Sequence, residues 1–178
     1  MDDVIVDACC LINLCAAGEL RDLLNAAGGQ WYVPSVVRTE SMFLRVEQPD
    51  GTIVREPIDL APFMESGVLK ECRPETGPEL DLYVVLASRI DDGEAMALAI
   101  AKTRGWIVST DDRKARRLAT DLGVRVWTTP QIMKRWADVT KSPADVVRSR
   151  LWRIEQRARF FPATADPLSA WWQSWVTT

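Results

Sequence analysis

Histidine is absent from the 178 residues. That removes His-based nucleophile triads, imidazole general bases and ordinary His/Cys zinc sites. Any chemistry must rest on carboxylates, hydroxyls, basic groups or a metal held by oxygen. Cysteine never occurs as Cys-x-x-Cys. Cys9, Cys10, Cys15 and Cys72 read instead as small core residues of a reduced protein. Long apolar runs are also missing, because Val4 to Ala17 is interrupted by Asp7 and Asn13 and is too short for a membrane span. Met1 is followed by Asp2 and Asp3 rather than by the basic residues of a signal peptide. The expectation is a cytoplasmic protein that does not use a membrane.

What is present is an ordinary globular composition, 47% hydrophobic and 26% charged, enough for one domain with an appendage. The net charge of −3 hides a strong asymmetry. Residues 1–112 hold 9 Lys+Arg against 20 Asp+Glu, whereas residues 113–159 hold 13 against 4. A basic segment of that kind points to an anionic partner, nucleic acid being the common one.

The stretch Asp91 to Val124 reads as helix, strand, helix, with acids where the chain enters each helix. Asp91-Asp92-Gly93-Glu94 precedes a run of helix formers closed by Gly105, and Trp106 to Ser109 is strand-like. Thr110-Asp111-Asp112 then opens a helix from Arg113 to Leu122. Side chains at the carboxyl end of a strand face the ligand crevice of an α/β sheet, so Asp111 or Asp112 is placed there with Glu94. The plain alternative is that these acids only cap helices.

Elsewhere the pattern predicts strands at Val4–Val6, Trp31–Val33 and Arg125–Trp127, with a short one near Val68-Leu69. Helices are predicted over Leu11–Ala17, Glu19–Ala27 and Glu79–Ser88, and from Val36 with Glu40 one to two turns in. Another runs from Thr128-Thr129-Pro130 through Trp136, and a longer one covers Ala144 to Arg159. Gln48-Pro49-Asp50-Gly51 between two apolar runs marks a hairpin. Short strands alternating with helices imply an α/β fold, a three-layer α/β/α sandwich around a mainly parallel sheet. A hairpin-containing insert (about 45–78) interrupts a domain over 1–130, and 131–178 form a helical extension.

The segments VIVDACCLINL, VPSVVRTE, DDGEAMALAIA and IVSTDD resemble, in order, the four acidic motifs of PIN domains. These are metal-dependent nucleases abundant among VapC-like toxins of toxin–antitoxin pairs. The resemblance implies an acidic site of Asp7, Glu40, Glu94 and Asp112, with Asp7, Glu94 and Asp112 holding Mg²⁺ or Mn²⁺. Asp112 is preferred to Asp111 because the last motif has Thr, any residue, then Asp. Thr110 is then the polar residue that steadies the site, and Asp111 and Asp92 are the alternative acids. The family usually has Ser or Thr after its first Asp, where this chain has Ala8-Cys9.

Crowded carboxylates repel one another unless a cation neutralises them, and Mg²⁺ prefers oxygen ligands. Such an ion can activate water against a phosphodiester without histidine. The reading is therefore an endoribonuclease, with RNA, a cognate antitoxin and a second copy of the chain as expected partners. Arg148, Arg153 and Arg157 are expected to meet RNA phosphates, while Val147, Leu151 and Ile154 form that helix's buried stripe. Two alternatives are a catalytically weak RNA-binding adaptor, favoured by Ala8-Cys9, and a structure-selective DNA nuclease. The second lacks its long basic insert, since residues 45–80 hold eight acids. Trp171, Trp172 and Trp175 predict a tail that packs on its own chain or docks on a partner, ahead of base stacking.

Overall fold

A computed structural model describes residues 2–40 and 42–176; Met1, Ser41, Thr177 and Thr178 lie outside the described residues. The elements run β1 (Val4–Val6), α1 (Ala8–Ala17), α2 (Leu20–Ala27), β2 (Trp31–Pro34), α3 (Ser35–Thr39), β3 (Phe43–Glu47) and β4 (Ile53–Pro57). Then come α4 (Ala61–Glu65), β5 (Leu69–Cys72), α5 (Gly77–Ala87), α6 (Asp92–Arg104), β6 (Ile107–Ser109), α7 (Arg113–Leu122) and β7 (Val126–Trp127). The chain closes with α8 (Thr129–Thr140), α9 (Ala144–Arg153), a π-helical turn over Ile154–Ala158, and α10 (Ser169–Val176). The described residues group into two compact units, 2–11 with 28–40 and 59–128, and 12–27 with 42–58 and 129–176.

The first unit is α/β. Its five strands pair in the order β5-β2-β1-β6-β7, every pair parallel, and helices flank the sheet. Parallel strands are buried on both faces, so they read as continuous apolar runs. Val4, Ile5, Val6, Ile107 and Val108 are all buried accordingly. α6 is the central helix, with Ala95 through Ala101 buried; small alanines let it lie close to the sheet. At the strand entrance Gly29 is required, since a Cβ there would stand 2.1 Å from the Asp2 carbonyl oxygen.

The second unit holds the β3–β4 hairpin, antiparallel from Phe43↔Pro57 to Glu47↔Ile53. Gly51, at φ 82°, makes the tight turn that the Pro-Asp-Gly sequence announces. Val147, Leu151 and Ile154 are buried, as their spacing predicts. α10 packs on α9 within this unit: Trp172 is buried, lies edge-on to Phe160 at 5.8 Å, and its indole N–H donates to Glu155 at 2.9 Å. The tail thus buries its central indole against its own unit.

Besides α8, which runs past Trp136 to Thr140, and α5, which starts at Gly77 rather than Glu79, the boundaries that bear on the site or the tail differ from expectation as follows. α1 starts at Ala8 rather than Leu11, because Asp7 caps it. The predicted Val68-Leu69 strand is Leu69–Cys72, where ladder bonds to β2 order the polar Lys70 and Glu71. α3 stops at Thr39, so Glu40 is extended and lies just past the helix rather than inside it. The helix expected to reach Arg159 changes to a π-turn after Arg153, and Arg159 ends it in the left-handed conformation.

Candidate active site

β1 and β6 are parallel neighbours with Val6 opposite Ser109, so Asp7 and Thr110-Asp111-Asp112 leave the sheet side by side. The Asp7 amide still bonds the Ser109 carbonyl at 3.0 Å. β2 lies on the far side of β1 from β6. The chain therefore winds away from β1 in both directions, and the carboxyl ends of β1 and β6 form the crevice in which such sheets bind ligands.

Asp7 is 1% exposed. Its Oδ1 accepts the Cys10 amide at 2.8 Å, which starts α1, and the Cys9 thiol lies 3.1 and 3.2 Å from its two oxygens. The Thr110 hydroxyl also bonds this carboxylate, while Thr110 Oγ1 accepts the Asp112 amide at 3.2 Å. Thr110 thereby ties the two strand ends together. Ala8 offers no hydroxyl, and the Cys9 thiol supplies a donor instead. None of these partners is cationic. Burial first, with Asp111 adding repulsion, pushes the Asp7 pKa up to about 6.

Glu94 sits in the first turn of α6 and lines an open cleft of about 330 Å³ with Asp91, Asp112 and Lys114. Its pKa rises to about 7, through burial and then through the charges of Asp112, Asp7 and Asp91. Asp112 does cap a helix, as the plain alternative holds: its Oδ1 accepts from the Lys114 and Ala115 amides at 2.7 and 2.8 Å. It nevertheless bears on Glu94, so capping and site membership coexist.

Glu40 takes a different place. Burial and the charges of Asp91 and Asp92 raise its pKa. A Cβ on Gly93 would stand 2.7 Å from Val37 Cγ2 and 3.1 Å from Glu40 Oε1, so only glycine lets Glu40 and α3 close against α6. Asp91 is expected from the sequence only as a cap. Its side chain makes no capping bond to α6, and its charge reaches both Glu40 and Glu94. The triple-acid DDGE run was the only signal for it.

The three arginines singled out on the last long helix do not share surroundings. Arg148 Nε donates to the Trp175 carbonyl at 3.1 Å, and Arg157 pairs with Glu56 at 2.8 Å. An Arg153 nitrogen stands 3.1 Å from where a Cβ on Gly18 would lie.

Asp7, Glu94 and Asp112 offer oxygen donors, and the charges of Asp7 and Asp112 bear on Glu94, which is the chemistry a hard divalent cation prefers, while Arg89 and Lys114 also line the cleft. Among the described residues, however, no three acidic or cysteine side chains are drawn together as a ready-made ligand group. Asp112 in particular is bonded back onto α7.

A family model described as a PIN domain matches residues 3–139. The chain belongs to the PIN-domain family, a class of nucleases that typically use divalent metals. No curated protein and no solved structure is detectably similar to it. No helix among the described residues is long and apolar enough to cross a membrane.

Proposed function

We propose that this protein is a metal-dependent endoribonuclease of the toxin type, working from Asp7, Glu94 and Asp112. One observation carries the reading: two buried or half-buried acids at the crevice, Asp7 and Glu94, have pKa values raised to about 6 and 7, and neither makes an ion pair among the described residues. A fold that keeps such acids unneutralised bears a standing penalty at neutral pH, and a bound cation removes it. Mg²⁺ or Mn²⁺ would be held by Asp7, Glu94 and Asp112, and the chemistry expected of it is Lewis-acid assistance to water attacking a phosphodiester.

The chain's own residues have defined parts. Thr110 and Cys9 orient the Asp7 carboxylate by hydrogen bonds. Glu94, in the first turn of α6, would bring its carboxylate to the cation beside Asp112. Lys114, at the cleft rim, offers a positive charge to the phosphate. Asp91 and Glu40 extend the negative field along the start of α6. The Cys9 thiol donates to Asp7 where Ala8 offers no hydroxyl, which supports a working site over a catalytically weak adaptor. The antitoxin partner rests on the resemblance to VapC-like toxins. A second copy of the chain has a candidate surface in α5, where Leu80, Val84 and Val85 are exposed.

The test is cleavage of end-labelled tRNA, rRNA and mRNA fragments by the purified chain in Mg²⁺ or Mn²⁺, beside single-stranded and flapped DNA. RNA products that vanish with EDTA and with Asp7→Asn are expected. Equal cutting by Asp7→Asn, or cutting of DNA flaps alone, overturns the reading.

A further inference from the structure

The hairpin of the second unit carries an electrostatic oddity. Arg45 and Arg55 are directly opposite in its antiparallel register, so both side chains leave the same face. Like charges in that arrangement destabilise a hairpin. Among the described residues neither makes an ion pair.

Two adjoining depressions lie at this face, of about 500 and 240 Å³, and they share Arg45, Ile53 and Arg157. Arg55 lines the larger and Arg159 the smaller. Four guanidiniums thus border the groove against one lining acid, Glu47, and one acid already engaged by Arg157, Glu56. Aromatic surface is interleaved with them: Trp152, at 55% exposure, lines the groove, and so does Phe43 at 38%. The backbone is unusual here as well. The π-turn over Ile154–Ala158 ends at Arg159 with φ 58°, a conformation costly for a residue with a side chain. π-turns and such outliers concentrate where a fold aims side chains at a ligand.

We infer that this groove binds the backbone of single-stranded RNA, with Arg45, Arg55 and Arg159 on phosphates and Trp152 stacked on a base. An anion between Arg45 and Arg55 converts their repulsion into a bidentate site, and guanidinium planes match phosphate oxygens. Exposed indole and phenyl faces beside the arginines favour nucleic acid over an acidic peptide, because bases stack where carboxylates cannot. The choice of RNA among nucleic acids rests on the ribonuclease reading above. Of the arginines expected from the sequence to meet RNA, Arg157 alone lines the groove.

The experiment is fluorescence anisotropy of a labelled uridine-rich RNA of about 12 nucleotides, in EDTA so that nothing is cut, across a salt series. Arg45→Ala/Arg55→Ala is expected to weaken binding at least about tenfold and to flatten the logarithmic salt slope by ~1.4. Trp152→Ala is expected to weaken it roughly tenfold with the slope unchanged. The double arginine variant should melt no lower than wild type, since it relieves repulsion; a lowered melt marks the arginines as structural and overturns the inference. Unchanged affinity and slope do the same, as does tighter binding of a poly-glutamate peptide than of RNA. RNA that binds here yet is cut in no metal sinks the ribonuclease reading and leaves the groove standing.

Discussion

Two buried acids of the α/β unit, Glu79 and Asp7, are handled in opposite ways. Glu79 is 2% exposed and Asp7 1%. Glu79 receives Arg104 through both oxygens, at 2.7 and 3.1 Å, and also accepts from Thr103 at 3.1 Å and the Glu75 amide at 2.6 Å. The Arg104 bond, foremost, brings its pKa down to about 2. Asp7 receives an amide, a thiol and a hydroxyl but no positive charge, and its pKa climbs to about 6. Burial alone therefore does not mark a site. The informative feature is a buried acid that the fold leaves without a counter-charge.

The comparison breaks most visibly in activity. Asp7→Asn should lower RNA cleavage by roughly 10²–10³-fold or more while leaving the fold intact and somewhat more stable in EDTA. Rates in Mg²⁺ together with urea denaturation check both halves. Glu79→Ala should do the reverse to stability. It strands the part-buried Arg104 and removes the box that Thr76 and Glu79 form at the start of α5, a loss of about 2–3 kcal/mol by urea denaturation.

The two acids should also bend the pH–stability curve in opposite senses. Asp7 is raised from 3.8 to about 6, and Glu94 from 4.5 to about 7. For raised carboxyls the stability they contribute is fully present below the unfolded values and is lost as pH climbs through 6 and 7. For Asp7 this amounts to about 2–3 kcal/mol, and to less for half-exposed Glu94, whose charge is solvent-screened. Glu79 falls from 4.5 to about 2, so its contribution is present above 4.5 and lost as pH falls through 2. Melts of the metal-free protein across pH should decline toward neutrality in wild type and decline less in Asp7→Asn, where only the Glu94 contribution remains. In Glu79→Gln only the acid limb should flatten.

Smallest is the effect at Cys9. Its thiol lowers the Asp7 pKa, so Cys9→Ala should move the Asp7-linked limb of the metal-free pH–stability curve to higher pH, and Cys9→Ser should leave it in place. An unmoved limb in Cys9→Ala would deny the thiol its part.

How far these features were legible in the sequence depended on what kind of signal each left. β1, β2, β6 and β7 announce themselves as apolar runs, and the β3–β4 turn by Pro-Asp-Gly, because local chemistry decides them. Asp7 and Asp112 were readable because strand ends in a parallel sheet share one edge. β5 was obscured, since Lys70 and Glu71 are ordered by ladder bonds that no local pattern encodes. α4 was missed amid the prolines of the insert. Glu40 reads as helical although it lies just past α3, because Arg38-Thr39-Glu40 carries no stop signal, and the close approach at Gly93 is tertiary. Asp91 looked like a cap until its side chain proved not to cap. The arginine face was the least legible. Helical spacing cannot foresee a π-turn that redirects Arg157 and Arg159, nor a hairpin that brings Arg45 and Arg55 to the same groove.

Divalent-cation binding by Asp7, Glu94 and Asp112 is what the proposed function requires above all. Its most direct test is the thermal shift on adding Mn²⁺ to EDTA-stripped protein near pH 7.5, in wild type, Asp7→Asn and Glu79→Gln. Wild type and Glu79→Gln should each rise by several degrees and release protons on binding, while Asp7→Asn should not respond. An equal rise in all three, or none in wild type, would contradict it.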